Sequence, residues 1–346
     1  MAKVKEHILP FFIPHIGCPN RCVFCDQVQV AGTVLPPTAE EVKTAIDSWQ
    51  ETDLPTVAFY GGSFTALPKN EQIYFLAPAY EALKQNKIKA IRISTRPDAV
   101  DTGSLLLLKE YGVKTVEIGV QSVEDHVLKM SGRGHTVEQC FEALKLLKEE
   151  GFISGVQLMP GLPGEKRENA MKGIKELLRL KPDMARIYPT IILKNTELAK
   201  LYESGLYQPM SVEEAVDMCA DIVLLCDYYN VKVIRVGLQP TLDIAWGSSV
   251  VAGPFHPAFG HLVKSRIFRQ KVLYLLKQNQ GKVLYAKKSN IPAIVGQNKE
   301  NMPLYGDIRI RGWDLPDDVI ALGNDKEPLI YLTHKEFVQK ALKNCP

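Results

Sequence analysis

The chain has 346 residues, of which 46% are hydrophobic and 23% are charged. This length and composition suit a soluble globular protein with one large α/β domain and a smaller appendage. The first ten residues include Lys3, Lys5 and Glu6 and hold only a short apolar run. We therefore expect no signal peptide, no membrane-spanning segment and a cytoplasmic location.

Positive charge is concentrated in one part of the chain. The net charge is +3, yet the stretch between Asp243 and Glu300 has no acidic residue and nine basic ones. The rest of the chain has 33 basic against 39 acidic residues, which is a net charge of −6. A basic block on an otherwise acidic chain favours an anionic partner.

Apolar strand-like runs alternate with amphipathic helical stretches over residues 8–236. In chain order, the expected strands are Ile8–Ile13, Thr56–Tyr60, Ile88–Ser94, Val113–Val120, Phe152–Met159, Met184–Pro189 and Val231–Val236. The first expected helix begins at a capping box formed by Thr38 and Glu41. The other expected helices cover 70–85, 104–111, 137–150, a stretch that ends at Leu180, and 211–229. This alternation predicts a parallel sheet in a partial (β/α)6-type barrel.

The pattern changes after Thr241. A turn-rich loop precedes an apolar and basic helix at about 262–277, short strands near 283–285, 307–311 and 329–332, and a last helix near 335–343. We predict two units: a barrel over residues 1–241 and a small basic α+β appendage over residues 242–346.

Three of the seven cysteines, Cys18, Cys22 and Cys25, lie within eight residues in a loop after the first strand. A CxxxCxxC loop can place three thiolates on three corners of a 4Fe-4S cubane, whereas an electron-transfer cluster uses four cysteines. The open fourth iron could then chelate the amino and carboxylate groups of S-adenosylmethionine (SAM). Barrel enzymes carry their chemistry on the loops that follow the strands, which is where this motif lies.

A structural zinc site is the alternative for the same loop. The imidazole of His15 could then act as the fourth ligand beside the three thiolates. A zinc protein would be colourless, whereas an iron–sulfur protein would be brown.

The cysteine motif, its position after the first strand and the number of β/α units resemble the radical SAM superfamily. More specifically, residues 8–240 are similar to the radical SAM part of the catalytic subunit of Elongator, a transfer-RNA modifying enzyme. This similarity rests on the stretches Ser94–Asp98, Glu117–Ser122, Arg133–Thr136, Leu158–Gly164, Ile187–Thr190 and Val233–Arg235. The cysteine spacing is more compact than in that subunit, and we expect no acetyltransferase domain in this sequence.

The resemblance implies a radical SAM barrel with a 4Fe-4S cluster on the three cysteines and SAM beside it. The glycine turn after the second strand would support the methionine end of SAM. The residues implied for the SAM pocket are Phe24, Gly61, Gly62, Ser63, Thr95, Arg96, Gln121, Ser122, Arg133, His135 and Met159. An ion pair on the barrel rim is the structural alternative for Arg96 and for Arg133. Three residues late in the barrel are the candidates to face the substrate as catalytic groups: Tyr188, Lys194 and Arg235.

The basic segment of the appendage interleaves lysines and arginines with Phe268, Tyr274 and Tyr285. Cations would neutralise phosphates and aromatic rings could stack on unpaired bases, which is how proteins hold RNA. The alternative is that these rings belong to the core, because the apolar residues around them have helical spacing. The candidate RNA-binding residues are Lys264, Arg266, Arg269, Lys271, Lys277, Lys282, Lys287 and Lys288.

These observations favour a radical SAM enzyme that cleaves SAM reductively to a 5′-deoxyadenosyl radical and modifies RNA, in particular transfer RNA. It would need an external electron donor and, in an Elongator-like reaction, a separate acyl donor or partner protein. One alternative is a radical SAM enzyme of the coproporphyrinogen oxidase type that acts on a small metabolite. The other is a non-catalytic RNA-binding protein with a structural iron–sulfur or zinc site.

Overall fold

A computed structural model describes residues 6–27, 35–238 and 248–342 of the chain. Within these ranges, seven parallel strands form the main sheet in the order β1-β2-β3-β4-β5-β6-β8. Their bounds are β1 (Ile8–Ile13), β2 (Thr56–Gly61), β3 (Ala90–Thr95), β4 (Val113–Gln121), β5 (Ile153–Leu158), β6 (Met184–Ile187) and β8 (Lys232–Val236). The sheet curls into an open half-barrel, so the predicted partial barrel is confirmed.

Helices connect successive strands of this sheet. They are α1 (Ala39–Asp47), α2 (Lys69–Lys84), α3 (Thr102–Glu110), α4 (Asp125–Met130), α5 (Val137–Glu149), α6 (Arg167–Arg179), α7 (Glu197–Glu203) and α8 (Val212–Tyr228). The predicted capping box is present at α1, where the Thr38 hydroxyl accepts from the Glu41 backbone and the Glu41 carboxylate accepts from the Thr38 backbone. Such reciprocal caps satisfy backbone donors that a helix start leaves free.

The two faces of the main sheet differ in chemistry. Side chains alternate between the faces along a strand, and Ile91 and Ile93 of β3 are buried in the main core with the helices. Arg92, between them, is also buried, with 3% exposure, and so is Glu117 of β4. Charged side chains are therefore held on the inner face of the half-barrel, and because burying charge is costly, they must be paired there.

The remaining described elements form the C-terminal part of the fold. A short antiparallel pair, β7 (Ile192–Leu193) with β9 (Val250–Ala252), precedes the long helix α9 (Phe259–Gln278). A four-stranded mixed sheet follows in the order β11-β10-β12-β13, with bounds β10 (Val283–Ala286), β11 (Arg309–Gly312), β12 (Val319–Gly323) and β13 (Pro328–Thr333). Two helices accompany it: α10 (Ile291–Val295) and α11 (His334–Leu342). This confirms the small α+β appendage.

Helix α9 joins the two parts of the fold. Phe259 and Val263 belong to the main core, whereas Phe268 and Val272 share a second core with the four-stranded sheet and with Leu224 of α8. The predicted boundary between residues 241 and 242 lies outside the described residues. No helix within the described ranges has the length and apolar character needed to cross a bilayer.

Candidate active site

The cysteine loop leaves β1 and is held by backbone hydrogen bonds at both of its ends. The Cys18 amide donates to His15 O at 3.2 Å, and the Cys25 amide donates to Cys22 O at 3.1 Å. Between them, the Val23 amide donates to Ser131 O at 3.1 Å, while Val23 O accepts from Leu198 at the start of α7. The three half-buried thiols are thus fixed against the ends of α4 and α7. Phe24 packs on the small apolar cluster that includes Ile192, Leu198 and Tyr207.

The glycine turn after β2 lies directly against this loop. The Gly62 amide donates to Ile13 O at 2.8 Å and the Ser63 amide donates to Ile16 O at 3.0 Å. A Cβ atom added at Gly62 would lie 2.0 Å from Ile16 O, and Gly61 has a φ of +91°. Only glycine permits this conformation and this approach, so the turn fixes the start of the cysteine loop.

The three thiols interact electrostatically. Burial, followed by the charges of Cys22 and Cys18, raises the pKa of the Cys25 thiol to about 12. Burial and Cys22 also raise the pKa of Cys18, whereas Arg96 and Arg133 act in the opposite direction. A positive metal centre between the thiols would reverse this effect and deprotonate them. Three clustered thiols near two guanidinium groups therefore fit an anionic iron–sulfur cluster.

His15 is occupied in a way that weighs against the zinc alternative. Its ring Nε2 accepts from the Gln27 amide at 3.1 Å, and its own amide donates to Gln27 Oε1 at 2.5 Å. In the described part of the chain, no three His, Cys, Asp or Glu side chains are gathered around a single-ion position. A cubane needs no such position, because its thiolates lie at separate corners.

Arg133 and Arg96 line the side of the site next to Cys22. Arg133 donates through Nη1 to the Cys22 sulfur at 3.3 Å and through Nη2 to Gly119 O at 2.7 Å. Arg96 forms a two-pronged ion pair with Asp98, at 2.9 and 2.8 Å, so the ion-pair alternative holds for this residue. Each guanidinium nevertheless keeps one buried nitrogen without a partner among the described residues: Arg133 Nε and Arg96 Nη1.

His135 provides a third polar atom of the same kind. Its Nε2 donates to Val120 O at 3.3 Å, and its buried Nδ1 has no partner among the described residues. Burial and the positive charges of Arg133 and Arg96 lower the pKa of His135 to about 3. The ring is therefore neutral and keeps Nδ1 as an acceptor. Buried polar atoms without partners are rare, and here they fit a polar ligand that completes them.

The hydroxyl groups at the ends of β2 and β3 form one network. The Thr95 hydroxyl lies 3.1 Å from that of Ser63 and 2.6 Å from that of Thr65. The Arg96 amide donates to Ser63 Oγ at 3.2 Å. All four side chains are buried. The network fixes the two strand ends side by side and so orients Arg96.

The ends of β4 and β5 are joined by Gln121 and by a carboxyl group that the sequence did not indicate. Gln121 has a φ of +68°, its carbonyl accepts from the Met159 amide at 2.8 Å, and its side chain accepts from Gln157 at 3.2 Å. The Glu165 carboxyl accepts from the Ser122 hydroxyl at 3.2 Å and from the Gly161 amide at 2.6 Å. Burial raises the pKa of Glu165 to about 7.

The residues predicted to face the substrate are spread over the late strands. Tyr188 follows β6 and accepts from Arg186 Nη1 at 3.3 Å. Arg235 of β8 lies in register with Arg186 on the neighbouring strand. Lys194 is exposed beyond β7, where its amide donates to Ser249 O at 2.8 Å. Sequence reasoning missed Arg186, Glu117 and Arg92, although a charged residue in an otherwise apolar strand was a visible signal.

The predicted RNA-binding residues divide by exposure. Lys264, Lys277, Lys282 and Lys288 are exposed, whereas Arg269 and Lys287 are half-buried. The prediction of RNA binding is wrong for the two residues that are buried, Arg266 and Lys271. Arg266 is paired with Glu213 and Asp217, and Lys271 donates to Asp318 O at 2.6 Å. Burial makes both side chains unavailable to a phosphate, so neither is a candidate for RNA binding.

The aromatic residues of the same segment are packed inside the fold. Phe268 and Tyr285 are 8% and 0% exposed, and Tyr274 packs against Phe337. The core interpretation is therefore correct for Phe268 and Tyr285, which are too buried to stack on bases, and Tyr274 packs against the same core while partly exposed. Lys277 and Lys282 line an open groove of about 720 Å³ at the end of α9, together with the apolar side chains of Leu273 and Leu304.

Comparisons with known proteins agree with this architecture. The radical SAM superfamily model matches residues 12–177, and the radical SAM C-terminal domain model matches residues 182–269. A tRNA uridine(34) acetyltransferase of Methanocaldococcus jannaschii is 30% identical over 202 residues, which are 51% of this chain and 37% of that protein. Elongator complex protein 3 of Bos taurus is 33% identical over 280 residues, 68% of this chain and 51% of that protein.

A solved structure shows the same fold. Methanocaldococcus infernus Elp3 with an N-terminal deletion superposes with a TM-score of 0.59 at 23% identity, over 77% of this chain and 63% of that one. The chain spans about a third to a half of the length of these curated relatives. The two family models together cover well over half of the chain. The chain therefore belongs to the radical SAM superfamily, is homologous to Elongator complex protein 3, and is an enzyme.

Proposed function

We propose that this enzyme binds a 4Fe-4S cluster through Cys18, Cys22 and Cys25, cleaves SAM reductively at that cluster, and modifies transfer RNA. The observation that carries the proposal is the loop after β1 with three free, half-buried cysteines, in which Arg133 donates a hydrogen bond to the Cys22 sulfur. When bound, the cluster and SAM would supply a 5′-deoxyadenosyl radical from one electron of an external donor.

The distribution of the other cysteines supports an open iron. Among the described residues, the other cysteines are Cys140, Cys219 and Cys226, and all three are buried in the main hydrophobic core and not in the loop. A cluster held by three thiolates keeps one iron for an exogenous ligand, and the amino and carboxylate groups of SAM suit that iron. A four-cysteine electron-transfer site would leave no such position.

The polar atoms around the loop would hold SAM. Arg133 Nε and Arg96 Nη1 are buried donors that need an acceptor, and His135 Nδ1 is a buried acceptor that needs a donor. SAM offers a carboxylate, ribose hydroxyls and an adenine edge, which together supply both kinds of partner. The Ser63 and Thr95 hydroxyls would orient Arg96, and the Glu165 carboxyl would hold Ser122 and Gly161 in place.

The RNA part of the proposal rests on the relatives and on surface charge. The relatives whose names state an RNA substrate act on uridine 34 of transfer RNA. We propose a uridine-containing transfer RNA as the substrate of this chain as well. Lys264, Lys277, Lys282 and Lys288 are exposed on the C-terminal part, where they would neutralise phosphates. An acyl donor or a partner protein would complete an Elongator-like reaction.

Addition of transfer RNA to the reconstituted enzyme tests the substrate. Anaerobic protein with a full iron count would receive SAM and a strong reductant, with and without total transfer RNA and acetyl-coenzyme A. We expect transfer RNA to raise the rate of 5′-deoxyadenosine formation and to carry a modified uridine after the reaction. Equal rates with and without RNA, and unmodified RNA by mass spectrometry, would contradict the RNA proposal.

A further inference from the structure

A cluster of charged and phenolic side chains lies on the inner face of the half-barrel, apart from the cysteine loop. This inner-face cluster consists of Tyr60, Arg92, Glu117, Arg186 and Tyr188. Tyr60 directly precedes the glycine turn at the end of β2, and Tyr188 directly follows β6. In a parallel barrel those strand ends are on the same side as the loop that holds the cysteines. The cluster is therefore on the catalytic side of the sheet.

Glu117 fixes the two arginines. Its carboxylate accepts from Arg186 Nε at 2.5 Å and Nη2 at 3.2 Å, and from Arg92 Nη1 at 3.2 Å. The Glu117 side chain is 4% exposed, as is that of Arg92. A two-pronged pair with a buried carboxylate holds the planar guanidinium in one orientation. The Arg186 guanidinium is therefore fixed and can orient the groups that bind to it.

Two phenols complete the hydrogen bonds of Arg186. Nη2 donates to the Tyr60 hydroxyl at 3.0 Å, and Nη1 donates to the Tyr188 hydroxyl at 3.3 Å. A phenol oxygen that accepts from a guanidinium still carries its own hydrogen as a donor. Neither phenolic hydrogen has an acceptor among the described residues. Burial and the nearby Glu117 carboxylate raise the pKa of Tyr60, so this hydroxyl stays protonated. One guanidinium thus positions two O–H donors.

The charges of the cluster indicate which kind of hydrogen-bond acceptor the two phenols would bind. Arg92 and Arg186 are balanced by Glu117 and by Glu6, which accepts from Arg92 at 3.0 Å. Because both arginines already have carboxylate partners, they offer little further attraction to a phosphate or carboxylate, which would also have to lose its hydration on binding. A neutral carbonyl oxygen, with two lone pairs, matches two neutral donors.

We infer that Tyr60 and Tyr188, held by Arg186, bind a neutral carbonyl oxygen of the substrate and orient the carbon beside it for hydrogen abstraction. Arg186 and Glu117 act as positioning residues. The inference rests on the proposed function, and deepens it by naming the group that the barrel recognises. In a reaction between RNA and an acyl donor, this carbonyl belongs either to a pyrimidine base or to an acyl thioester.

Equilibrium binding to the cluster-loaded protein tests the inference without turnover. The base arm compares a uridine trinucleotide with the same trinucleotide abasic at its centre. The acyl arm compares acetyl-coenzyme A with S-ethyl-coenzyme A, which lacks the thioester carbonyl. In one arm, we expect Tyr60→Phe and Tyr188→Phe each to weaken the Kd of the carbonyl probe roughly 3- to 10-fold, the loss expected for one hydrogen bond. Neither variant should change the Kd of the probe that lacks the central base or the thioester carbonyl.

Two further variants separate recognition from folding. Tyr80→Phe removes a hydroxyl from α2 on the outside of the barrel and should leave every Kd unchanged. Arg186→Lys keeps the charge but loses the planar set of donors that positions the two phenols. It should therefore weaken binding of the same carbonyl probe and of no other. Unchanged Kd values in Tyr60→Phe and Tyr188→Phe, or a native protein that binds neither carbonyl probe, would overturn the inference. SAM cleavage with and without transfer RNA, measured in parallel, tests the proposed function independently of these Kd values.

Discussion

Arg133 donates to the sulfur of Cys22 at 3.3 Å, although the two residues are 111 positions apart in the sequence. The same guanidinium holds Gly119 O at the end of β4, so one side chain connects the cysteine loop to the strand ends. A positive charge at this sulfur would partly compensate an anionic cluster. The cysteine loop is therefore held by the barrel through an electrostatic contact as well as by its own backbone.

Removal of the Arg133 guanidinium should weaken cofactor binding. Arg133→Gln removes the cation beside Cys22 and the unpartnered Nε, and charge-assisted hydrogen bonds are worth about 1.5–3 kcal/mol each. We expect about a 10-fold or larger increase in the SAM Kd, with faster loss of iron in air. Iron counting and equilibrium SAM binding measure both effects. Lys129→Gln, an exposed change nearby on α4, is the control and should leave both values unchanged.

Gly62 should be intolerant of even one extra carbon. In Gly62→Ala, the new Cβ would lie 2.0 Å from Ile16 O, so the turn or the cysteine loop must move. We expect a loss of stability of at least about 1–3 kcal/mol and incomplete cluster assembly. Thermal melting of the protein without iron, followed by iron counting after reconstitution, would show this.

Gly103 of α3 provides the matched control for this change. A Cβ there meets only the Asp101 side chain, at 3.3 Å, and the residue has ordinary helical geometry. Alanine in a helix should be neutral or stabilising by up to about 1 kcal/mol. Equal melting temperatures for the two alanine variants would contradict the close approach at Gly62.

Glu165 should make stability depend on pH. Its pKa in the folded protein is raised to about 7, so the folded state holds this proton more tightly than the unfolded state. The stabilisation by this proton is complete below the unfolded pKa and is lost as the pH rises toward 7. We therefore expect the free energy of unfolding to fall between about pH 4.5 and pH 7, by at most about 3 kcal/mol.

Glu165→Gln should flatten this part of the pH profile. The amide oxygen can still accept from the Gly161 amide, and the NH2 group can donate to the Ser122 hydroxyl. The amide does not titrate, so the difference from native protein should vanish at low pH and grow toward pH 7. Denaturant unfolding at a series of pH values measures it. Glu168→Gln, an exposed change in the first turn of α6 and three residues from Glu165, should keep the native profile. A native-like profile in the Glu165 variant would refute the assignment.

The exposed lysines of the C-terminal part should contribute to RNA affinity through charge. A Lys277→Gln, Lys282→Gln and Lys288→Gln triple variant should bind transfer RNA more weakly and with a shallower dependence of log Kd on log salt. The slope should fall by about 0.7–0.9 for each phosphate that the variant no longer neutralises. Gel-shift titrations at several salt concentrations measure both quantities.

An equal change of charge elsewhere gives the comparison. Lys43, Lys84 and Lys200 lie on α1, α2 and α7, where each forms an exposed ion pair. Their glutamine triple variant should keep the native slope. If both triple variants lowered the slope equally, RNA binding would follow net charge and not this surface.

The sequence predicted the repeating part of the fold well because periodicity and caps are local signals. The Thr38 capping box and the strand Ile8–Ile13 appear as expected. Short elements were missed, among them α4, α7 and β12, since five to seven residues carry too little periodicity to identify. Helix α7 matters for the site, because its first turn holds the carbonyl of Val23.

Residues whose role depends on distant partners were harder to identify. Glu165 lies 43 residues from Ser122 in the chain, and Arg186 lies 69 residues from Glu117. No spacing rule links such pairs, and only the sheet register brings them together. Composition likewise could not separate Lys271, buried against Asp318 O, from exposed Lys277 on the same helix.

Anaerobic formation of 5′-deoxyadenosine from SAM tests the central claim most directly. Iron-reconstituted native protein and a Cys18→Ala, Cys22→Ala, Cys25→Ala triple variant would receive SAM and a strong reductant. Cys140→Ala, a change at a buried core cysteine, would serve as a further control. We expect product from the native and Cys140 proteins and none from the triple variant. A native protein that holds zinc instead of iron, or that forms no product with a full iron count and transfer RNA present, would contradict the claim.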